Sequence, residues 1–195
     1  MRSTPAERIA PTLMLGEARL RALRPSDAAA LLDYLGDARV TARTSFPEVT
    51  PALADAMIER ARRRWAAGEP GRWGLSLQAD DRVVGTCGFN DFSRDHRVAE
   101  LAYDLSVAHW GSGLMTRAAG AAVRWVFEHG EVDRVQAYVR VDNTPSVRLL
   151  ERLGFTCEGR LRGFRLCRGL RHDFHVFGLL RSEWSPGSSA GTGAP

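Results

Sequence analysis

The spacing of apolar positions along this chain changes several times, and each change marks an element. Leu20, Ala22 and Leu23 in "EARLRALRPSD" mark a short strand, after which Pro25 and the cap residue Ser26 open a helix through "AAALLDYL". "VTPALADAMIERARRRWAAGEPG" reads as a second helix, capped by Thr50, with Pro51 in its first turn and GEPG at its end. Its Glu59, Arg60, Arg62, Arg63 and Arg64 read as a solvated face. Three strand-like runs follow, "RWGLSLQA", "RVVGTCGFNDF" and "RVAELAYDLS", with Asp80–Asp81 as a hairpin turn between the first two. "MTRAAGAAVRWVFEHG" has apolar residues at 119, 122, 123 and 126, the spacing of one helix face, and Gly130 closes it. In "RVQAYVRVDN", Val135, Ala137, Val139 and Val141 alternate with Gln136, Tyr138 and Arg140, as in a strand with two unlike faces. "TPSVRLLERLG" is a short helix between Pro145 and Gly154, and "FTCEGRLRGFRL" and "HDFHVFGLL" are two closing strands.

The order β-α-α-β-β-β-α-β-α-β-β predicts a mixed α/β domain over residues 1–184, with a strand–helix–strand crossover in its later half. The Pro/Gly/Ser-rich residues 185–195 are expected to be a disordered tail. A chain of 195 residues, 44% hydrophobic and 26% charged, suits one soluble globular domain. It shows no run of transmembrane length and no apolar signal core, so a cytoplasmic protein without a membrane partner is expected.

Composition also narrows the chemistry. Three cysteines without a CxxC fit neither a zinc nor a disulfide framework. His172 and His175 stand three apart on a strand, on opposite faces, so no metal site is expected. All 27 basic residues are arginine, which excludes a P-loop lysine, and no G-x-S-x-G occurs. The net charge of +4 permits a nucleic-acid-binding module, but no reading helix or RNA-binding aromatic motif supports one, and no nucleic-acid partner is expected.

One stretch asks for a ligand. In "HWGSGLMTRAAG" a Gly-Ser-Gly turn leads directly into the long helix. A helix start carries unpaired N–H groups and a partial positive charge, and glycines allow an anion to approach the backbone. Taken alone, such a turn is more often only a turn, and it is not a dinucleotide fingerprint, because Thr116 stands at the third glycine position.

The wider pattern resembles the GCN5-related N-acetyltransferases, in the branch that contains the ribosomal-protein N-terminal acetyltransferases. The resemblance rests on Trp110-Gly111-Ser112-Gly113 before the long helix, then Asn143-Thr144-Pro145-Ser146, Leu153-Gly154-Phe155 and Glu158-Gly159, and covers roughly residues 15 to 184. It implies a mostly antiparallel sheet of about seven strands with flanking helices, splayed open centrally between the strands around Glu100–Leu105 and Arg134–Val141. It implies acetyl-CoA as cosubstrate, with the pyrophosphate held at the turn and the pantetheine arm in the gap. The cofactor-binding residues it points to are Trp110, Gly111, Ser112, Gly113, Leu114, Met115 and Thr116. Leu105, Val107, Asn143 and Arg148 complete that set. Met115 departs from the family's usual Gly or Ala and either crowds the phosphates or turns into the core.

For chemistry, the position of the tyrosine that the family often uses as proton donor is Leu150, and the resemblance points to Ser146 instead. Glu100 is the first candidate general base, acting through water, with Glu158 and Asp173 in reserve. The resemblance makes Asn143 a binder of the pantetheine arm or of nearby backbone. The acceptor site is expected around Phe46, Trp65, Trp73 and Phe92, with Tyr138 lining the cleft. At pH 7, deprotonation costs roughly 1 kcal/mol for an α-amine and about 4.6 kcal/mol for lysine, which favours a protein or peptide N-terminus as acceptor. A small-molecule amine (an antibiotic or polyamine) and a non-catalytic CoA-binding domain stay open as alternatives, and a homodimer is one of the open oligomeric states.

Overall fold

In the computed structural model of the chain, residues 9–185 are described. The expected tail therefore lies outside the described residues apart from Ser185. The strands are β1 (Leu13–Met14), β2 (Ala18–Arg21), β3 (Arg72–Leu77), β4 (Val83–Ser93), β5 (Val98–Leu105), β6 (Arg134–Arg140), β7 (Thr156–Cys167) and β8 (Leu170–Leu180). The helices are α1 (Ala28–Leu35), α2 (Ala38–Thr41), α3 (Pro51–Ala66), α4 (Leu114–His129) and α5 (Thr144–Arg152). They flank one mixed sheet of order β1-β2-β3-β4-β5-β6-β8-β7. The expected count of about seven strands is exceeded by the two-residue β1, which pairs with β2 at the sheet edge.

Local chemistry accounts for most boundaries. The Thr50 side chain accepts the amide of Leu53, Pro51 sits at the start of α3, and Gly154 adopts φ +84° just past α5. Ser26 does not cap α1: a 3₁₀ turn over Pro25–Asp27 intervenes, and the Asp27 carboxylate takes the amide of Arg24. Asp81 adopts φ +56° in the β3–β4 turn and gathers Arg19, Arg21 and Arg24 around its carboxylate.

Two apolar layers enclose the sheet. Val84, Leu101, Val135 and Phe177 join α4 and Leu150 in the larger one, while neighbouring Val83 joins Leu31, Ala54 and Ile58 of α1 and α3 in the other. Strand alternation sends adjacent residues to opposite faces, which is why Val83 and Val84 part company. Cys87 and Cys167 are buried and Cys157 is exposed, all as free thiols, and burial pushes the Cys87 thiol up to about 12.

The feature that positions a site is where pairing stops. Among the described residues β5 and β6 are the only parallel neighbours, and they pair only from Val98↔Arg134 to Glu100↔Gln136. β5 continues to Leu105 and β6 to Arg140, so the two strands diverge and open the sheet at its centre. This is the splayed gap that the sequence resemblance implied.

Candidate active site

Two cavities meet in the gap. The first, of about 480 Å³, runs along the start of α4 and is bounded by Leu105, Trp110, Gly111, Gly113, Met115 and Thr116 on one side and Asn143, Ser146 and Arg148 on the other. The second, of about 350 Å³, continues past the strand ends to Phe46, Glu100, Tyr138 and Arg165. Arg43, Thr44, Tyr103, Asn143 and Ser146 border both, so they mark the junction.

The first cavity is shaped by backbone. Gly111 and Gly113 adopt φ +74° and +71°, a conformation that glycine reaches without strain. A Cβ at Gly111 would meet nothing within 4 Å, and at Gly113 only Arg117, so both face open space. The Ser112 hydroxyl donates to the His109 carbonyl and accepts the Leu114 amide. The first intrahelical amide, that of Arg117, bonds to Gly113, and the amides of Met115 and Thr116 have no backbone acceptor among the described residues. Trp110 is half exposed and its indole N–H donates to the Leu105 carbonyl at 2.9 Å, fixing the approach to the turn. Met115 is 6% exposed and packs in the larger core, so its side chain leaves the turn clear. Arg39, Arg148 and Arg152 supply cations along the same cavity.

Two expected members of this set do not face it. Val107 packs against the α1–α3 core, because the 3₁₀ turn Val107–His109 directs it there. The Ser112 side chain is absent from the cavity wall, because its hydrogen bonds hold it within the turn.

At the junction, the Asn143 carboxamide oxygen accepts the amide of Ser146 and caps α5. Ser146 is half-buried, and its carbonyl accepts the Tyr103 hydroxyl at 3.4 Å. Burial raises the pKa of that hydroxyl. Tyr103 sits in "AELAYDLS" with Glu100; pairing with Cys87 of β4 fixes its place on β5, and the parting of β5 from β6 opens the junction beside it. Leu150 is fully buried in the core, so a side chain at that position does not address the gap.

In the second cavity, Glu100 accepts Arg165 Nη2 at 3.2 Å and is the one acidic side chain on the wall among the described residues. Arg165 is itself held among the rings of Tyr138, Phe164 and Phe174, at 5.1, 5.2 and 5.6 Å. The loop after α2 closes over the site: Arg165 contacts Ser45, Arg168 donates to Thr41 at 2.8 Å, and Arg140 donates to the Ala42 carbonyl at 3.0 Å. The wall between the cavities contains a buried ionic cluster. Asp104 accepts Arg72, Tyr34, the Thr86 hydroxyl and the Thr86 amide. Arg72 faces the second cavity and Asp104 the first. Burial, with Asp104 beside it, raises the Tyr34 hydroxyl well above its ordinary range.

Of the expected acceptor residues, Phe46 and Tyr138 line this cavity and three others do not. Trp73 is fully buried, its indole bonded to the Pro11 carbonyl, in an aromatic cluster with Trp65 and Trp125. Trp65 is in that core as well. Phe92 packs on the core because an irregularity between Phe89 and Asp91 shifts the alternation and returns it to the face of Phe89. The reserve bases are occupied elsewhere: Glu158 pairs with Arg134, and Asp173 with Arg160 and the Gly163 amide, and each is held below the usual carboxylate range by those bonds.

An acetyltransferase (GNAT) domain matches residues 18–156, and the chain belongs to this family. The protein is an N-acetyltransferase. The uncharacterized N-acetyltransferase p20 of Bacillus licheniformis is 33% identical over 178 residues, 89% of this chain and 98% of that protein. The [ribosomal protein uS5]-alanine N-acetyltransferase of Escherichia coli is 29% identical over 116 residues, 59% of this chain and 60% of its own length. A ribosomal L7/L12 α-N-protein acetyltransferase solved with coenzyme A shares the fold, with a TM-score of 0.78 at 20% identity, covering 87% of this chain and 98% of that one. Among the described residues no helix is long and apolar enough to cross a membrane, and no three His, Cys, Asp or Glu side chains cluster to hold a metal.

Proposed function

We propose that this enzyme moves the acetyl group of acetyl-CoA to the α-amine of a protein or peptide N-terminus. The observation that carries the reading is the meeting of two cavities where β5 and β6 part, one headed by a helix start and the other holding a carboxylate. The residues fit acetyl-CoA: the amides from Gly111 to Thr116 and the cations of Arg148 and Arg152 would take its phosphates, and the clear turn leaves them room. When bound, it supplies an activated acyl carbon on a thioester.

Glu100 receives the amine's proton through water, and Arg165 fixes where that carboxylate points. The new N–C bond forms as the C–S bond breaks. Ser146 gives the departing sulfur its proton and recovers one from solvent, while Asn143 holds the backbone at that point. With a single carboxylate on the acceptor wall among the described residues, an amine of pKa about 7.7–8.0 is deprotonated far more easily than lysine at about 10.4. The names of the Escherichia coli relatives, which act on ribosomal-protein alanine and serine, point the same way.

The test begins with melting temperature, with and without acetyl-CoA. At about 100 times Kd the ligand adds roughly 2.7 kcal/mol to the folded state, so a clear rise is expected. Thiol release is then followed with free and N-blocked peptides, polyamines and aminoglycosides. Release with free peptides alone is the expected result, and release with a polyamine or antibiotic alone would move the acceptor to small amines. Ser146→Ala is expected to lower kcat by roughly 100-fold, in the range of one acid–base group, with KM for acetyl-CoA little changed. Unchanged turnover removes Ser146 from the chemistry, and Tyr103→Phe then tests the second hydroxyl at the junction.

A further inference from the structure

The second cavity is far more cationic than an amine acceptor alone explains. Arg43, Arg60, Arg64, Arg72 and Arg165 all reach its wall, against Glu100. An ammonium-bearing substrate approaching such a wall is repelled unless something on the substrate answers the arginines.

Their existing partners show how much charge is left over. Arg165 is answered by Glu100 and Arg72 by Asp104. Arg64 stands 3.5 Å from Glu69 and 3.8 Å from Asp91, and burial lowers its pKa. Arg60 gives one nitrogen to the Asn90 carbonyl, and neither Arg60 nor Arg43 has a carboxylate within 4.0 Å among the described residues. Arg64 Nη2, 3.5 Å from Glu69, and Arg72 Nε are buried and make no hydrogen bond among the described residues. The cations left without a carboxylate on this wall are Arg43 and Arg60, and a ligand carboxylate matches a guanidinium in charge and geometry. Arg60, Arg64 and Arg72 come from α3 and the start of β3, so these groups converge from neighbouring elements rather than lying scattered on a surface.

We propose that the acceptor cavity selects an N-terminus followed closely by an acidic side chain, with Glu100 facing the amine and the Arg60–Arg64–Arg72 side of the wall facing the carboxylate. This rests on the reading of the second cavity as the site for a peptide amine. It adds a rule of substrate choice that the peptide reading does not contain.

The experiment uses the full chain with saturating acetyl-CoA and peptides matched except for Asp against Asn, or Glu against Gln, at positions 2 and 3. Thiol release gives kcat/KM for each. The acidic member of a pair is expected to exceed its amide counterpart by at least about 10-fold, the worth of one charge-assisted contact. That ratio is expected to fall as salt rises from 0.05 to 0.5 M, because the contact is ionic. Arg60→Gln, at an exposed position, is expected to lower the ratio through a higher KM for the acidic peptide. The rise in melting temperature with acetyl-CoA checks that this variant is folded. Equal kcat/KM for the paired peptides overturns the inference and leaves the peptide reading standing. No release from any peptide, with acetyl-CoA still raising the melting temperature, overturns both.

Discussion

The two halves of the gap are built from different materials. Around the start of α4, the head of the cavity is a run of main-chain amides set by Gly111, Gly113 and one short stretch of sequence, with Arg39, Arg148 and Arg152 along its length. Beyond the junction, the groups are side chains: Arg60 and Arg64 from α3, Arg72 from β3, Glu100 from β5, Tyr138 from β6 and Arg165 from β7. A site built from backbone tolerates many side-chain changes. A half assembled from side chains on distant segments changes specificity one residue at a time. The comparison teaches that the two halves of the gap, one headed by a contiguous turn and one assembled from distant segments, are encoded in separable ways.

The largest expected effect comes from breaking the wall that both halves share. Asp104 is 6% exposed and accepts hydrogen bonds from Arg72, Tyr34 and both donors of Thr86. Asp104→Ala leaves a buried guanidinium and a buried hydroxyl without their acceptor, and removing one partner of a buried pair costs about 3–5 kcal/mol. Chemical denaturation is expected to show a loss of that size, with acetyl-CoA binding and acceptor turnover falling together. A loss under about 1 kcal/mol would mean that the wall is not what holds the halves in register.

Legibility in the sequence follows the same division. The periodicities placed nearly every strand and helix, and the turn at Trp110–Gly113 with Asn143 and Ser146 was readable because each motif is contiguous. Val107 was misplaced because a 3₁₀ turn after β5 rotates it toward the other core. Trp73 and Phe92 were misplaced because large aromatics near a cleft look alike in sequence whether they line it or support it, and the irregularity in β4 that decides Phe92 leaves no sequence mark. Arg43, Arg60, Arg64 and Arg72 were legible only as a charge run or not at all, since their convergence requires α3 and β3 to be folded against β5. Glu100 was found, but its pairing with Arg165 joins residues 65 apart along the chain.

Neighbouring positions at the start of α4 sharpen the contrast. Met115 is buried in the core, so Met115→Ala is expected to cost about 2–3 kcal/mol of stability while leaving acetyl-CoA affinity within about 2-fold. Gly113 has space around its Cα but a φ of +71°, so Gly113→Val is expected to distort the turn and place a branched side chain among the amides. Calorimetry is expected to show acetyl-CoA binding about 10-fold weaker, with a smaller loss of stability than Met115→Ala. A reversal of the two outcomes would mean that the methionine, not the glycine turn, shapes the cosubstrate half.

The smallest effect is expected where the acceptor half borrows support from outside the gap. Glu158 is held below the usual carboxylate range by Arg134, which donates to it in a pair that joins β6 to β7, the strand that presents Arg165. Because the folded pKa is depressed, the stabilisation from this pair is fully present above about pH 4.3, the unfolded value, and is lost as pH falls through the folded one. The carboxylate is 38% exposed, so solvent screening keeps the contribution to about 0–1 kcal/mol. Glu158→Gln is therefore expected to lower the melting temperature slightly at pH 7 and to narrow its gap to the unsubstituted protein as pH drops below about 4. The pH–rate profile is expected to keep its shape, since Glu158 stands outside both cavities. A displaced acidic limb in that profile would place Glu158 in the proton path and take the role of base away from Glu100.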